Sequence, residues 1–229
     1  MNNSRDDYYK DTLSGEMLEL CYEVAPPRVK QYLKEEVNFA LSKIKKTDTV
    51  LELGCGYGRV LSQLSFQAKV VYGIDTSAPS LALAQKRMIE YKNCVLLHMD
   101  AAKLLLPEKM FDVVICIQNG ISAFKRKAEL LIGECMRVTK PGGKILISTY
   151  AEKFWEHRLS WFREQAKAGC IGVIDEKKTG KGVIVCKDGF TATTYSIAQF
   201  KDLTRELGAQ IEITEVDESS LFCEIITGK

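Results

Sequence analysis

Residues 50–60 read Val50-Leu51-Glu52-Leu53-Gly54-Cys55-Gly56-Tyr57-Gly58-Arg59-Val60, and this stretch decides the fold. Its apolar beginning predicts a buried parallel strand, its three glycines a tight turn, and its end the first turn of a helix. Glycine suits such a turn because it tolerates positive φ and has no side chain to keep a ligand away from the backbone. The amides at the start of the helix favour a polar or anionic group. The turn is therefore the first candidate for a binding site.

The glycine spacing differs from the dinucleotide-binding fingerprint. That fingerprint would place its third glycine at position 59, where this chain has Arg59, and the third glycine stands one place earlier, at Gly58. A Gly-x-Gly turn without a ligand is also an ordinary way to join a strand to a helix. The rest of the chain has to decide between a binding turn and a plain one.

Composition excludes several classes of function. The chain has 229 residues, enough for one α/β domain with a sizeable core, and its net charge of +2 gives no electrostatic case for nucleic acid. No apolar run approaches a membrane span and no signal-peptide core is present, so we expect a cytoplasmic protein without membrane contact. The eight cysteines are scattered without a Cys-x-x-Cys pair, which favours reduced, buried thiols over disulfides or a metal site.

Strands and helices alternate through the first two thirds of the chain. After the strand at residues 48–53, further apolar runs predict strands at 70–74, 95–98, 111–117 and 144–150. Segments with helical spacing separate these runs. Such alternation implies a parallel sheet with helices on both faces.

The pattern changes after the fifth strand. Residues 152–168 have the spacing of a helix, and residues 171–175 and 183–186 flank a turn sequence that predicts a hairpin. Two more strands, at 210–216 and 221–227, close the chain. The segment after strand five is therefore an insertion of a helix and a hairpin between the regular units.

Polar or glycine residues follow four of the predicted strands. These are Gly54–Gly58, Asp75, Asp100 and Gln118–Asn119. In open parallel sheets, ligands bind beyond the carboxyl ends of the strands, near the point where the strand order reverses. The four strand ends therefore indicate a single shared site.

These stretches resemble the class I S-adenosylmethionine-dependent methyltransferases over about residues 30–229. The matching stretches, in the family's order, are residues 51–58, 73–77, 100–101, 111–119 and 137–143. The resemblance implies an α/β fold with a Rossmann-like, seven-stranded, mostly parallel sheet, helices on both faces and an antiparallel last strand. It also implies a single methyltransferase domain over residues 1–229, with an N-terminal arm over 1–28 and an acceptor-covering insertion over 152–195.

The resemblance implies S-adenosylmethionine as the cofactor and assigns residues to its parts. Asp75 is placed at the ribose hydroxyls, Asp100 with the amide of Ala101 at the adenine, and Glu52 at the methionine ammonium. The full set of expected cofactor-binding residues is Glu52, Gly54, Cys55, Gly56, Asp75, Thr76, Asp100, Ala101, Ile117 and Gln118. Each acid also has a plainer interpretation, since Asp75 can cap the next helix and Glu52 can be an ordinary strand-end charge.

The acceptor side is less defined by the sequence. Methyl transfer from a sulfonium needs alignment and exclusion of water more than a universal base. Asn119 is the best-placed polar side chain, because residues 115–120 resemble the strand-four end of glycine N-methyltransferase-like enzymes that act on small molecules. An Asn in a left-handed turn before Gly120 explains the same residue without catalysis.

Missing signatures narrow the substrate. Strand four lacks the motifs of amino-methylating and cytosine-methylating DNA enzymes, and no acidic pair after strand five supports a metal-dependent catechol-type reaction. We therefore expect a small-molecule acceptor with a nitrogen, oxygen or sulfur nucleophile, without nucleic acid and without a metal. A protein side-chain methyltransferase, a non-catalytic S-adenosylmethionine-binding regulatory module and a dinucleotide oxidoreductase are the alternatives. The sequence does not define the oligomeric state.

Overall fold

The computed structural model describes residues 8–228, apart from the side chain of Asp11, and one seven-stranded sheet forms its centre. In chain order the strands are β1 Thr49–Leu53, β2 Val70–Asp75, β3 Cys94–His98, β4 Phe111–Cys116, β5 Thr139–Tyr150, β6 Ile184–Val185, β7 Thr191–Ala192, β8 Gln210–Val216 and β9 Ser220–Ile226. The large sheet has the order β3-β2-β1-β4-β5-β9-β8, and β6 pairs with β7 alone. Strands β1 to β5 are parallel, and β9 is antiparallel to both of its neighbours, which confirms the predicted fold class.

Helices cover the sheet and its edge. In chain order they are α1 Tyr8–Asp11, α2 Gly15–Glu23, α3 Pro27–Ser42, α4 Leu61–Gln67, α5 Ala78–Arg87, α6 Gly120–Ala123, α7 Ala128–Val138, α8 Trp155–Lys167 and α9 Ile197–Thr204. Local chemistry fixes where several of them begin. Pro27 opens α3, the Ser77 hydroxyl accepts from the Ser80 amide at α5, and Ser196 forms a capping box at α9. None of the helices in residues 8–228 is long and apolar enough to span a bilayer.

Both faces of the sheet are apolar, as a parallel sheet between helices requires. Successive residues of β1 point to opposite faces, so Val50 packs with α3 and α4 while Leu51 packs with α7 and α9. The strand order reverses between β1 and β4. The glycine turn and the Gln118–Asn119 turn therefore meet at the same edge of the sheet.

Two local predictions differ from the structure. Strand β5 begins at Thr139, five residues before the predicted start at 144, and the pairing of β4 with β5 is irregular between Phe111 and Val113. The predicted hairpin is reduced to a single bridge between Ile174 and Cys186. Strand β6 pairs instead with β7, because the tight turn at residues 186–190 closes a shorter loop.

A third apolar cluster joins the N-terminal helices to α8 and the small hairpin. The Trp161 indole donates to the Cys21 carbonyl at 2.7 Å, and the Gly15 amide donates to the Ser80 hydroxyl at 2.9 Å. These contacts hold α2 between α5 and α8. The part of the expected N-terminal arm from residue 8 onward is therefore folded onto the protein, and residues 1–7 of that arm lie outside the described part.

Candidate cofactor and acceptor site

One pocket with a side branch opens at the carboxyl ends of the parallel strands. All ten residues predicted to bind the cofactor line it: Glu52, Gly54, Cys55, Gly56, Asp75, Thr76, Asp100, Ala101, Ile117 and Gln118. Asn119 lines it as well. The topology thus brings the predicted residues to a single place, and their individual roles remain predictions.

The glycine turn brings bare backbone to the pocket. Gly54, Gly56 and Gly58 have φ of 71°, 53° and 86°, which side-chain-bearing residues rarely adopt. The amides of Gly54 and Cys55 both donate to the Ile74 carbonyl at 2.9 Å. Because these two amides already donate to a protein carbonyl, they are not available to a ligand. The turn therefore contributes to binding mainly by letting a ligand lie close to its backbone.

Asp75 links the glycine turn to the next helix. Its Oδ2 accepts from the Gly56 amide and its Oδ1 from the Ser77 amide, each at 2.8 Å. A carboxylate has about four acceptor positions, so roughly two remain for a ligand. Burial raises the pKa of Asp75, and the Ser77 and Gly56 amides oppose this rise. The capping interpretation and the binding interpretation are thus compatible in one side chain.

Glu52 is a buried acid with an unfilled hydrogen-bonding position. It is 4% exposed, and its Oε2 has no hydrogen-bond partner. Burial raises the pKa of its carboxyl to about 8, opposed by Arg59 and assisted by Asp75. The side chain lines the branch of the pocket beside the glycine turn. A cationic ligand group there would supply the missing hydrogen-bond partner and, together with Arg59, would favour the ionised carboxylate.

Asp100 and Ala101 form the edge of the pocket after β3. Asp100 accepts from the Ala102 amide at 2.8 Å through Oδ1 and pairs with Arg126 at 3.0 Å through Oδ2. Ala101 is buried against the core. His98 bonds to the Thr76 carbonyl at 2.8 Å, which gives this histidine a structural place beside the pocket.

The end of β4 carries two consecutive residues in the left-handed region. Gln118 has φ 54° and Asn119 has φ 61°. The Asn119 carboxamide donates to the Thr193 carbonyl at 2.8 Å and accepts from the Thr149 hydroxyl at 2.7 Å. The left-handed turn that explains Asn119 without catalysis is thus present, and its catalytic role stays a prediction.

Glu36 on α3 holds the Gln118 backbone from behind the pocket, and the sequence reasoning missed it. It is fully buried, and its Oε1 accepts from the Ser148 hydroxyl at 2.6 Å and from the Gln118 amide at 3.1 Å. Tyr22 also donates to the Gln118 side chain. The signal that could have revealed Glu36 is an acid on the apolar stripe that Leu33 and Val37 mark.

Aromatic side chains from both ends of the chain form the outer wall of the pocket. The outer wall consists of Tyr9, Lys10, Leu13, Leu18, Cys21, Tyr22, Tyr150, Trp161, Phe162 and Gln165, so one lysine stands among its apolar and aromatic side chains. From the N-terminal arm and the predicted acceptor-covering insertion over 152–195, the aromatic residues Tyr9, Tyr22, Trp161 and Phe162 line the pocket. Tyr8, Trp155 and Phe190 do not, and Tyr8 packs on Phe190 with ring centroids 4.8 Å apart.

All eight cysteines are free, seven of them buried. Burial is the largest cause of the raised pKa of each thiol, as for Cys21 on the outer wall. Within residues 8–228, no group of three or more histidine, cysteine or acidic side chains is arranged to hold a metal ion.

Comparison with known proteins agrees with this geometry. Residues 50–143 match the family described as "Methyltransferase domain". A ubiquinone biosynthesis O-methyltransferase of Pseudomonas fluorescens strain SBW25 is 32% identical over 130 residues, which are 56% of this chain and 52% of that protein. The chain thus spans about half the length of the curated relatives it matches.

Solved structures share the fold at low identity. A putative S-adenosylmethionine-dependent methyltransferase from Methanococcus maripaludis superposes with a TM-score of 0.67 at 16% identity and covers 96% of both chains. The N-methyltransferase NodS from Bradyrhizobium japonicum, solved with S-adenosylhomocysteine, has a TM-score of 0.61 at 14% identity, with 96% of this chain and 100% of that chain covered. Residues 50–143 thus resemble the methyltransferase-domain family, and the fold of the chain is the Rossmann-like fold of class I S-adenosylmethionine-dependent methyltransferases.

The residues present fit the cofactor of this family. S-adenosylmethionine carries an ammonium group, a ribose diol and an adenine. The chain offers an unpartnered buried acid at Glu52, free acceptor positions on Asp75 and a side-chain-free turn at Gly54–Gly58. The two acids therefore match the ligand, because carboxylates accept hydrogen bonds and an ammonium group and ribose hydroxyls donate them.

Proposed function

We propose that this protein transfers a methyl group from S-adenosylmethionine to a nitrogen, oxygen or sulfur nucleophile of a small molecule. The observation that carries the proposal is the buried Glu52 carboxylate with its unpartnered oxygen, set beside the glycine turn and Asp75. A side chain this costly to bury fits a site completed by a cationic ligand group. The named relative, an O-methyltransferase of ubiquinone biosynthesis, supports a small-molecule acceptor.

The residues of the chain have distinct roles in this proposal. Asp75 accepts from the ribose hydroxyls, Asp100 and Ala101 hold the adenine, and Glu52 receives the ammonium. The backbone at Ile117 and Gln118 orients the methionine part. When bound, S-adenosylmethionine supplies a methyl group on a positively charged sulfur, which is an activated leaving group.

Water exclusion and alignment are the main tasks left to the protein. The outer wall performs them by closing the pocket with apolar rings from α1, α2 and α8. In this proposal residues 1–229 act as one domain, with the N-terminal arm and residues 152–195 covering the acceptor. Asn119 is the candidate for contact with the acceptor. Its hydrogen bonds to Thr149 and Thr193 fix the orientation of its carboxamide.

Calorimetric titration with S-adenosylhomocysteine tests the cofactor assignment. Asp75→Ala should weaken binding by about 2 kcal/mol, or about thirtyfold, because hydrogen bonds to a charged group are lost. Asp202→Ala, at an exposed carboxylate on α9, is the matched control and should bind normally. Unchanged affinity in a folded Asp75→Ala protein would reject the ribose assignment.

Product analysis separates an enzyme from a binding module. Incubation with methyl-labelled S-adenosylmethionine and a small-molecule extract should give a labelled small product, whereas labelled protein would support the side-chain methyltransferase alternative. Tight binding without any labelled product across extracts would support the regulatory module. Thermal stabilisation by NAD instead of S-adenosylhomocysteine would support the oxidoreductase.

A further inference from the structure

Arg158 on α8 is a buried cation that pairs with no carboxylate of the residues that the structure describes. It is 1% exposed and is the largest of the fully buried side chains in the described part of the chain. Its Nη1 donates to the Gly182 carbonyl at 2.8 Å and its Nη2 to the Thr193 carbonyl at 3.5 Å. Its Nε is buried without a partner. A buried charge that is paired only with neutral carbonyls is unfavourable, and a nearby anion would lower this cost.

The groups that face Arg158 are neutral. Its guanidinium carbon lies 4.7 Å from the ring centroid of Tyr150 and 5.4 Å from that of Phe162. The titratable groups around it are the tyrosines Tyr9 on α1, Tyr32 on α3 and Tyr150 on β5. Burial raises the pKa of each of these hydroxyls, so none of them is charged near neutrality. The positive charge of Arg158 therefore acts outward, through the rings.

Those rings belong to the outer wall of the pocket. Tyr150 and Phe162 line the pocket, whereas Arg158, which packs on both rings, does not. Gln165, two helical turns further along α8, lines the same wall, is 3% exposed, and has no hydrogen bond from its carboxamide. The wall thus offers a ligand flat apolar surface, one free amide and a positive potential behind the rings.

The outer wall contains no base. Among the described residues, no aspartate, glutamate or histidine belongs to it, and the pocket's carboxylates are those proposed to hold the cofactor. A protonated amine would also be repelled by Arg158 and by Arg59, whose guanidinium lies 4.6 Å from the Tyr22 ring centroid. An acceptor bound here must therefore supply a nucleophile that is already unprotonated and not cationic.

We propose that the outer wall binds a planar aromatic acceptor as its anion, of the phenolate or thiophenolate class, with Arg158 as the countercharge behind the rings. This inference rests on the proposed function. The proton of the acceptor leaves to solvent on binding, the oxygen or sulfur electron pair forms the bond to the methyl carbon, and the methyl–sulfur bond breaks with its pair left on sulfur. Arg158 is a positioning residue, since it acts through Tyr150 and Phe162.

A chromophoric ligand reports the charge state of the bound acceptor directly. The probe is 4-nitrophenol, whose absorption band shifts on ionisation, titrated from pH 5 to pH 9 with protein saturated by S-adenosylhomocysteine. We expect the pKa of bound 4-nitrophenol to lie about one unit below that of the free compound, as one unpaired cation behind the rings produces. Arg158→Gln should make this downward shift clearly smaller, with the remainder due to Lys10 and Arg126 in the pocket lining, and Arg158→Lys should keep most of it.

Matched controls separate the effect of Arg158 from that of any other arginine on the same helix. Arg163→Gln removes an exposed arginine from the same helix, where it pairs with Glu176 at 3.0 Å, and should leave the shift intact. 4-Nitrothiophenol and 4-nitroaniline test the sulfur and nitrogen alternatives, and we expect the aniline to bind at least tenfold more weakly than the phenolate. Absence of S-adenosylhomocysteine binding would reject the proposed function itself. With that binding intact, three results would overturn the proposal of an anionic acceptor. They are an unshifted or raised pKa of bound 4-nitrophenol in the wild type, tighter binding of the aniline than of the phenol, and no binding of either the phenol or the thiol.

Discussion

Glu52 carries a carboxylate that folding buries without giving Oε2 a hydrogen-bond partner. Because burial raises its pKa to about 8, the acid is mostly protonated at neutral pH in the ligand-free protein. A bound ammonium favours the ionised form. Cofactor binding and proton release are therefore linked at this residue.

Binding of S-adenosylhomocysteine at pH 7 should release up to one proton per ligand. Calorimetry in buffers with different ionisation enthalpies measures this number. Glu52→Gln cannot release the proton, so we expect the release to vanish and the affinity to fall by about tenfold or more. Glu212→Gln, at an exposed acid of β8, is the control and should behave as the wild type. Equal proton release in both variants would contradict the role of Glu52.

Gly56 is a position of the turn that a side chain would disturb in two ways. Its φ is 53°, and a Cβ there would lie 2.9 Å from Cδ2 of Leu18 on α2. Gly56→Val should therefore abolish S-adenosylhomocysteine binding while circular dichroism shows the sheet intact, because the branched side chain resists positive φ and displaces α2 from the pocket. Normal affinity in that variant would mean that the turn does not contact the cofactor.

Gly133 provides the matched control for this substitution. It lies exposed within α7, and a Cβ there meets nothing within 4 Å. Gly133→Ala should bind normally and gain about 0.5–1 kcal/mol of stability, since alanine has the better helix propensity.

At the scale of elements, the parts predicted well are those whose signal is local. The strands of the sheet and the glycine turn follow from apolar runs and spacing within ten residues of one another. The parts that were missed depend on distant partners. Glu36 meets Ser148 across 112 positions of sequence, and Arg158 meets Thr193 across 35, so no local pattern predicts either pair. The sequence did not predict the pairing of β6 with β7 for the same reason, because either residues 171–175 or β7 could have paired with β6.

The cover over the pocket is an element-level prediction. Ala192 from residues 170–195 and three residues of α2, namely Leu18, Cys21 and Tyr22, line the pocket at the same edge as the glycine turn. Hydrogen exchange should show protection across 170–195 that rises when S-adenosylhomocysteine and an acceptor are both bound, because closure excludes water from the reaction. Uniformly high protection in the free protein would mean that the segment is a static support for the sheet edge.

Trp161→Phe tests how α2 is held. The substitution removes the indole bond to the Cys21 carbonyl and keeps an aromatic ring in the buried position. We expect faster exchange of the amides over residues 15–23, by about the tenfold that one buried hydrogen bond is worth, with β4 and β5 unchanged as internal controls. Equal acceleration in α2 and the central strands would indicate global destabilisation instead of a local release.

At the scale of the whole molecule, the buried acids set how stability depends on pH. Glu36 and Glu52 both have a pKa raised by burial, so the native state binds more protons than the unfolded chain from about pH 4.5 upward. Their contribution is complete below the unfolded pKa and is lost as pH rises through the folded pKa. Asp112, whose pKa is lowered by Lys140 and the Thr49 amide against its burial, acts in the opposite direction, and its contribution disappears as pH falls below about 4.

The ligand-free protein should therefore be most stable on the acid side of neutrality. Between pH 5 and pH 8 we expect its free energy of unfolding to fall by about 2–4 kcal/mol, measured by urea denaturation at each pH. Saturation with S-adenosylhomocysteine should flatten this decline and move the maximum toward neutrality, because the ammonium compensates Glu52. Glu52→Gln should make the decline shallower without ligand, with the remainder due to Glu36, and should leave the ligand little further effect on the slope. A free energy that rises steadily from pH 5 to pH 8 in the ligand-free wild type would show that Glu52 is already compensated, and the binding role argued for it would then lose its physical basis.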